Sequence, residues 1–589
     1  MDKNSVYLQK KSLMNGYKKI PNGLSNFELL RTENYIYVDK THFIELLEKE
    51  NSKYHFLIRP RKFGKSLSLS TLRNYYDICK ADKFDVLFGD LYIGKNPTPK
   101  RNSLFVIKFS FSGLNTCTVD EFKASFYSAI RGSIQFFLTE HAAIIDNYAE
   151  LKKEAWKIDN IRGQIEFAFD IISTYKSKAY IIIDEYDHFA NDLIAQGTNL
   201  SVDQYKQLIW ANGVVRDFYE TLKDNTETVV DTIFITGITP MMLDDVTSGF
   251  NISNNLSTDL RYHEILGFTE EEVEFLIDEC GVDRTKLTVD RKFLYNGYKF
   301  HENAANKLYN SAMILYFLNQ VNITEGEVKY LIDDNLKTDY GRIKNLLGKP
   351  ESIEKIEEIV EHEQIPSEIV TRFSIDRLHD SENFLSLLYY MGLLTIDKDA
   401  ETNTAVLRIP NYSTKTMYWE YIRNILKTIN PQLSHNEINY YASLKELAIY
   451  GNPEDFIKFI QKFYVSILSN RDYRQFDEKY VKAIILTLLF QGNFYLPVSE
   501  YETSGGYCDI YLQRRNLNPH VNNDWVWEIK YIKEADANKK TLIENAKTEA
   551  LTQLQRYKSS NLFKDRTDVK YLAVVFIGKK GYWIEEIKN

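Results

Sequence analysis

A chain of 589 residues exceeds what one hydrophobic core sustains, so roughly three or four domains are expected. Apolar content of 44% and charged content of 26% are those of an ordinary globular protein, and a net charge of −9 excludes a global pull on nucleic acid, leaving only a local patch for such binding. Four scattered cysteines without a C-x-x-C pair argue against a zinc site or disulfide framework and fit a reducing interior.

In chain order, Tyr35-Ile36-Tyr37-Val38-Asp39-Lys40-Thr41 precedes a helical pattern from His42 to Lys49. The apolar run Phe56-Leu57-Ile58 then leads into RPRKFGKS (Arg59 to Ser66), and a helical stretch follows from Leu67 to Tyr76. A Gly-Lys-Ser at a strand-to-helix turn surrounds a di- or triphosphate with backbone N–H groups, a lysine and a small hydroxyl. Lys65 then neutralises phosphate charge and Ser66 ligates Mg²⁺. The glycine expected five residues before Gly64 is Arg59 here, so the bare pattern is imperfect.

Further strand-like segments at 104–111, 178–184 and 231–236 alternate with helical patterns such as Val119 to His141 and Tyr205 to Asp224. Such alternation predicts an open parallel sheet with helices on both faces. Tyr180-Ile181-Ile182-Ile183 ends abruptly in Asp184-Glu185, as a doubly buried strand reaching a ligand-binding carboxyl end does. Asp184 suits the Mg²⁺ shell that Ser66 also touches, and Glu185 suits polarisation of an attacking water. Thr236 or Thr239, at the end of the next strand, is placed to meet the γ-phosphate or that water, although threonine is also simply a good strand residue.

At Gly267-Phe268-Thr269-Glu270-Glu271-Glu272-Val273 a helix is expected to start, with Thr269 as N-cap and Glu272 at the capping-box position. A mainly helical region extends to about residue 450. Within it, a helix from Ser381 to Tyr390 precedes a hairpin formed by 393–396 and 405–409. This resembles a winged-helix unit, for which a small α+β linker role is the simpler reading.

Near the C-terminus a helix from Phe476 to Phe490, with Glu478 in its first turn, precedes three strand-like segments: 494–500, 508–512 and 525–530. Glu528 and Lys530 alternate onto one face of the last, and Asp509 on the strand before it is placed opposite Glu528. Two carboxylates and a lysine on one sheet face are what metal-dependent phosphodiester cleavage uses, with the carboxylates on Mg²⁺, a bound water activated, and the lysine orienting it. Gln553 and Tyr557, four apart on a helix, share a face that suits contact with a nucleic-acid strand. Alone, D…ExK also arises by chance on a solvated strand face.

These motifs in this order, together with YVDKT (37–41), IIIDEYD, FITG, GFTEEEV, YNGY (295–298) and the GLLTI…IPN pair, resemble the large bacterial family with an AAA-ATPase-like N-terminal domain and a C-terminal PD-(D/E)XK nuclease-like domain. That family's loop usually carries Arg-Pro-Arg before Phe-Gly-Lys, so the resemblance makes Arg59 part of a variant phosphate loop. Arg59 or Arg61 is then expected to add positive charge. The resemblance implies Lys65 and Ser66 on phosphates and Mg²⁺, and Asp184 and Glu185 as the acidic pair for metal and water; Arg61, Phe63, Gly64 and Thr236 are also expected around ATP. It further implies Asp509, Glu528 and Lys530 as the nuclease core, with Glu478 as a further metal-shell carboxylate and Glu500 on the strand before Asp509. One departure is Gly506-Tyr507-Cys508-Asp509, which lacks the arginine that often follows the glycine.

The expectation is therefore an α/β protein in three parts: an AAA-like P-loop parallel-sheet domain (1–265), a helical, winged-helix-like middle region (266–450) and a restriction-endonuclease-like α/β domain (451–589). ATP and Mg²⁺ are the expected cofactors and DNA the expected partner, with no membrane span, a homo-oligomer admitted, and a cytoplasmic location because no signal peptide or spanning segment is seen. Defence against foreign DNA is the setting suggested by analogy. The alternatives are a nucleotide-switched signalling or nucleic-acid-binding protein whose C-terminal domain does not cleave, and an ATPase with an inert C-terminal fold. By location alone Arg216 and Arg261 are candidates for an arginine finger.

Overall fold

The computed structural model describes residues 17–196, 208, 213–241, 254–287, 290–324, 332–333, 350–373, 377–378, 380–399, 401–429, 437–465, 478–515 and 518–587. Parts of two expected helices, residues 205–207, 209–212 and 476–477, lie outside the described residues. Two compact units emerge, Met1–Lys355 with Gln364–Ser413 and Ile356–Glu363 with Thr414–Asn589. The grouping differs from the three-part expectation for a physical reason: residues 310–312, beyond the expected boundary at 265, hydrogen-bond directly onto the phosphate loop.

In the first unit, β1 (Tyr54–Ile58), β2 (Phe105–Ser110), β3 (Ala179–Asp184), β4 (Val230–Gly237) and β5 (Asn254–Asn255) form a parallel sheet in the order β2-β3-β4-β1-β5. Every residue of β3 is buried, as its uninterrupted apolar run requires of a strand covered on both faces. From β1 the chain crosses to the far edge at β2, whereas from β4 it passes to the other side of β1 at β5. The switch point at the carboxyl end of β1 opens a crevice of the kind in which ligands bind in open α/β sheets.

Helix α1 (Lys65–Tyr76) follows β1 and helix α2 (Val119–Glu140) follows β2. Thr118 caps α2 by accepting from Glu121 N, and a stripe of Phe122, Phe126, Ile130, Ile134 and Phe137 is buried. Helix α3 (Val214–Asp224) precedes β4, and α4 (Glu270–Glu279) starts with the expected Thr269–Glu272 capping box. A two-stranded pairing of β6 (Asn296–Tyr298) and β7 (Leu308–Tyr309) leads into helix α5 (Ser311–Thr324). A three-stranded antiparallel sheet of β8 (Gln364–Pro366), β9 (Thr395–Lys398) and β10 (Ala405–Arg408) accompanies α6 (Ser381–Tyr390), so the expected hairpin is present with a third strand added.

The second unit holds helix α7 (Glu478–Gln491), strands β11 (Tyr495–Thr503), β12 (Gly506–Arg514) and β13 (Asp524–Ile532), helix α8 (Lys540–Lys558), and strands β14 (Val569–Ile577) and β15 (Gly581–Ile587). The sheet runs in sequence order; β13 and β14 are parallel, joined through α8, and every other neighbour pair is antiparallel. Sequence reading found the first three strands and missed the last two, although Tyr571–Ile577 is an apolar run of strand length. Among the described residues, no helix is long and apolar enough to cross a membrane.

The ends of α1 and α2 are pinned by a buried pair. His141, at the C-cap of α2, donates Nδ1–H to Phe137 O (2.9 Å) and brings Nε2 to 2.7 Å from Asp77 Oδ1; both side chains are fully buried. Burial opposes the imidazolium, but the Asp77 carboxylate and Cys79 outweigh it and raise the imidazole to about 9. A histidine raised in the folded state stabilises fully below its unfolded value near 6.5, and that contribution is lost as pH rises through about 9. His141→Gln is therefore expected to cost about 3–5 kcal/mol near pH 6. Its melting-temperature gap to the wild type should narrow toward pH 9.5; a gap constant across that range would refute the ion pair.

Candidate functional site

The loop between β1 and α1 is shaped by few residues. Gly64 has φ of 101°, a conformation costly for any side chain, and it delivers the chain into α1. Lys65 is buried, and its ammonium donates to Arg59 O (2.7 Å) and Pro60 O (2.8 Å) across the loop. Burial pulls it down to about 8, against the opposing pull of Asp187, Asp184 and Glu185. Ser66 sits in the first turn of α1, and Phe63 anchors the loop edge-on against Tyr298 and Phe300 at 5.0 and 5.4 Å between ring centres. From the far side, Asn310 Nδ2 donates to Arg61 O, Ala312 N to Lys62 O and Ser311 Oγ to Phe63 O.

Arg59 does not supply charge to the loop. Its guanidinium is buried, donates to Ile58 O, Ser257 O and Tyr262 O at 2.8–2.9 Å, and stacks 4.0 Å above the Phe300 ring. Burial lowers even this group to about 10. The arginine braces the backbone where the usual glycine turn is absent. Of the two arginines, Arg61 is the one that lines the cavity beside the loop.

At the carboxyl ends of the neighbouring strands, Asp184 accepts from Thr236 Oγ1 (3.1 Å) and from Lys108 Nζ (3.2 Å). Thr236 is therefore committed to holding the carboxylate. Thr239 is tied elsewhere, with its N–H and hydroxyl both on Asp187 Oδ2, which also accepts from Ile238 N and Asn191 Nδ2. Gly237 is forced by crowding: a Cβ there would lie 2.4 Å from the Tyr186 ring. Glu185 adopts φ of 54°, a strained conformation for a side-chain-bearing residue, and reaches His188 Nδ1 at 3.5 Å. Lys108 and His188 carry no motif, and Asp187, although it closes IIIDEYD, was given no role by sequence reading. Arg216 is paired with Glu220 and Arg261 with Asp259 and Glu50, so both finger candidates are engaged.

A cavity of about 620 Å³ adjoins the loop. It is lined by Lys65, Ser66 and Glu185 and by residues 21–25, 36–38 and 265–268 with Leu276 and Leu315. A lining of charged and apolar groups and a volume in this range are those of a small-ligand site.

In the second unit the ladder breaks at Asp509. Pairing between β11 and β12 runs Ser499↔Ile510 and resumes at Tyr501↔Cys508, skipping Glu500, which has φ of 49°. On the other side the β12–β13 register stops at Ile510↔Trp527, so Asp509 stands one step beyond, toward Glu528. The freed Ile529 N–H is taken by Asp509 Oδ2 at 2.7 Å. Lys530 Nζ lies 2.9 Å from Glu528 Oε1, 3.7 Å from Glu549 and 3.9 Å from Glu478. Burial, then the Asp509 charge, raises the Glu528 carboxyl well above the usual range, with Lys530 and Lys482 opposing; burial also raises Glu478.

Asp509, Glu528, Lys530 and Glu478 thus gather at one place. Lys482, one turn after Glu478 on α7, hydrogen-bonds Asp509 Oδ1 and was missed by sequence reading, as was Glu549 on α8. Tyr557 departs from expectation. It is buried in the core cluster with Cys508, Val526 and Leu554, its hydroxyl on Tyr507 O (2.7 Å), so it does not offer a face to nucleic acid. Gln553, one turn earlier, keeps a buried Oε1 with no hydrogen-bond partner. Glu528 Oε2 is likewise buried and unpartnered, so the donor set fits a hard divalent cation at Glu528 and Asp509.

Parallel sheet, phosphate loop and acidic strand end define the first unit as ATPase-like; the mixed sheet with its carboxylate–lysine cluster defines the second as nuclease-like. Residues 21–247 match the family described as "Predicted AAA-ATPase" and residues 476–586 the PD-(D/E)XK nuclease superfamily. The chain carries an AAA-ATPase-like domain and a PD-(D/E)XK nuclease-like domain in those two segments. Among curated relatives it is 26% identical over 287 residues to an uncharacterized protein in the vnfD 5′ region of Azotobacter chroococcum mcd 1, spanning 48% of this chain and about half (49%) of that relative. Among solved structures, the Walker-type ATPase PABY2304 of Pyrococcus abyssi aligns at TM-score 0.36 and 14% identity, over 64% of this chain and 94% of that one. The ORC2 protein of Aeropyrum pernix aligns at TM-score 0.31 and 10% identity, over 68% and 98%.

The brace role of Arg59 separates from ligand binding in one measurement. Arg59→Met removes three charge-assisted hydrogen bonds to backbone carbonyls and is expected to lower ligand-free stability by about 3 kcal/mol in denaturant unfolding. An unchanged midpoint would show that the arginine does not brace the loop.

Proposed function

We propose that the first unit binds and hydrolyses ATP with Mg²⁺ and that the second is a Mg²⁺-dependent DNA endonuclease. Lys65 and the N–H groups at the start of α1 face the phosphates; Ser66 and Asp184 hold the Mg²⁺; Glu185 orients the water. In the second unit Asp509 and Glu528 hold the cation, Glu478 adds a carboxylate, and Lys530 positions the attacking water. When bound, the metal supplies an acidified water and charge stabilisation at the phosphate. Asp509 is positioned by Ile529 N–H and Glu528 by Lys530, which costs no reorganisation during reaction.

The observation that carries the nuclease reading is the buried, unpartnered Glu528 Oε2 beside Asp509 and Lys530. A solvated strand face does not bury a carboxylate oxygen without a partner. Defence against foreign DNA is the setting we favour, since an ATPase-like and a nuclease-like domain occur in one chain.

Plasmid and linear DNA incubated with Mg²⁺ or Mn²⁺, with and without ATP, test this directly. Cleavage is expected, with a loss of about 10²–10⁴-fold in Lys530→Ala and complete loss in Asp509→Ala. Cleavage untouched by both substitutions would remove the site assignment, and no cleavage under any condition would favour a DNA- or partner-gripping domain switched by nucleotide. For the first unit, Lys65→Ala should abolish ATP turnover; turnover at the wild-type rate would refute the loop.

A further inference from the structure

We propose that Lys482 is a built-in competitor for the divalent cation of the nuclease-like site, so that metal enters only by moving its ammonium aside. This rests on the metal-site reading above and concerns how that site is regulated.

The argument starts from the two oxygens of Asp509. Oδ2 accepts Ile529 N–H at 2.7 Å within the sheet, which occupies one of its lone pairs and fixes the carboxylate. Oδ1 carries no backbone donor, and Lys482 Nζ hydrogen-bonds that atom. The same ammonium lies 3.5 Å from Glu478 Oε1 and 3.5 Å from Glu500 Oε1. It is therefore enclosed by three carboxylates from α7, β11 and β12, as a metal ion would be. Only 13% of the lysine side chain is exposed, so the contact is an internal one.

Charge balance explains why a lysine stands there. Glu478, Glu500, Asp509, Glu528 and Glu549 face two ammonium groups, those of Lys482 and Lys530. Asp509 and Glu528 are the buried members of this group, and buried carboxylates need a cation. Among the described residues these carboxylates are bridged through the two lysines. Lys530 bonds Glu528 Oε1 and leaves Oε2 without a hydrogen-bond partner, whereas Lys482 covers Oδ1, the Asp509 oxygen that no backbone donor holds. The two lysines thus differ in role: Lys530 leaves a ligand atom free and Lys482 covers one. A lysine's compact charge on a flexible four-carbon stem is suited to swinging out when a divalent cation arrives. The i,i+4 placement after Glu478 lets the displaced ammonium stay against α7.

The test is a Mn²⁺ titration of the full-length chain without nucleotide, followed by electron paramagnetic resonance of free Mn²⁺, on wild type, Lys482→Met, Lys482→Gln, Lys482→Arg and Asp509→Ala. Both neutral variants are expected to bind Mn²⁺ at the Asp509-dependent site about tenfold or more tightly than wild type, because a competing charge is removed. Lys482→Arg, which retains the charge, should stay weak. If Asp509→Ala binds Mn²⁺ as wild type does, the metal-site reading itself fails. If binding depends on Asp509 but whichever neutral variant folds binds no tighter than wild type, the competitor role of Lys482 is overturned while the metal site stands. Having two neutral variants guards against one of them failing to fold, which circular dichroism and melting report.

Discussion

Carboxylates buried at strand ends are the constraint around which both sites are built. An ionised carboxylate removed from water must be met by a cation or by N–H and O–H donors. Asp187 Oδ2 is met by backbone N–H groups, a hydroxyl and an amide, while its Oδ1 is buried without a hydrogen-bond partner. Asp184 is met by one hydroxyl and one lysine, Asp509 by one N–H and one lysine, and Glu528 by one lysine with the Tyr557 hydroxyl close by. What sets Asp184, Asp509 and Glu528 apart from Asp187 is a lysine ammonium among their partners. A carboxylate held chiefly by an exchangeable ammonium is ready to exchange it for a metal ion.

The same logic explains the unusual phosphate loop. A loop lacking its first glycine needs another way to hold its backbone turn, and the chain uses a buried guanidinium reaching carbonyls about 200 residues away. Asn310, Ser311 and Ala312 complete the clamp on Arg61, Lys62 and Phe63. Lys65 folds onto Arg59 O and Pro60 O, so the clamp also positions the lysine. Loop geometry and the segment after residue 265 are thereby one mechanical unit, and the cavity wall at 265–268 belongs to it.

Both sites also place a glutamate in the left-handed region, Glu185 after β3 and Glu500 opposite Asp509. Each such residue costs on the order of 1–2 kcal/mol, a strain that persists only where surrounding structure enforces it. At Glu185 the adjoining Tyr186 and Asp187 are locked to β4 and its following turn. At Glu500 the flanking pairs Ser499↔Ile510 and Tyr501↔Cys508 are regular, so the kink is confined to the step that aims Asp509.

By itself the sequence determined whatever depends on near neighbours. The strand of Tyr180 to Asp184, the Gly64 turn, the Thr269–Glu272 cap and the shared face of Glu528 and Lys530 follow from periodicity and spacing within a few residues. Motif order carried the same reading to two domains. Tertiary structure alone decided which charges meet: Arg59 on Tyr262, Lys108 on Asp184, Lys482 on Asp509, Lys530 on Glu549, and Tyr557 in the core instead of at a surface. Those partners come from different elements, up to about 200 residues apart in the first unit. Local periodicity says which face a side chain occupies, but only the packing of one element on another says what that face meets.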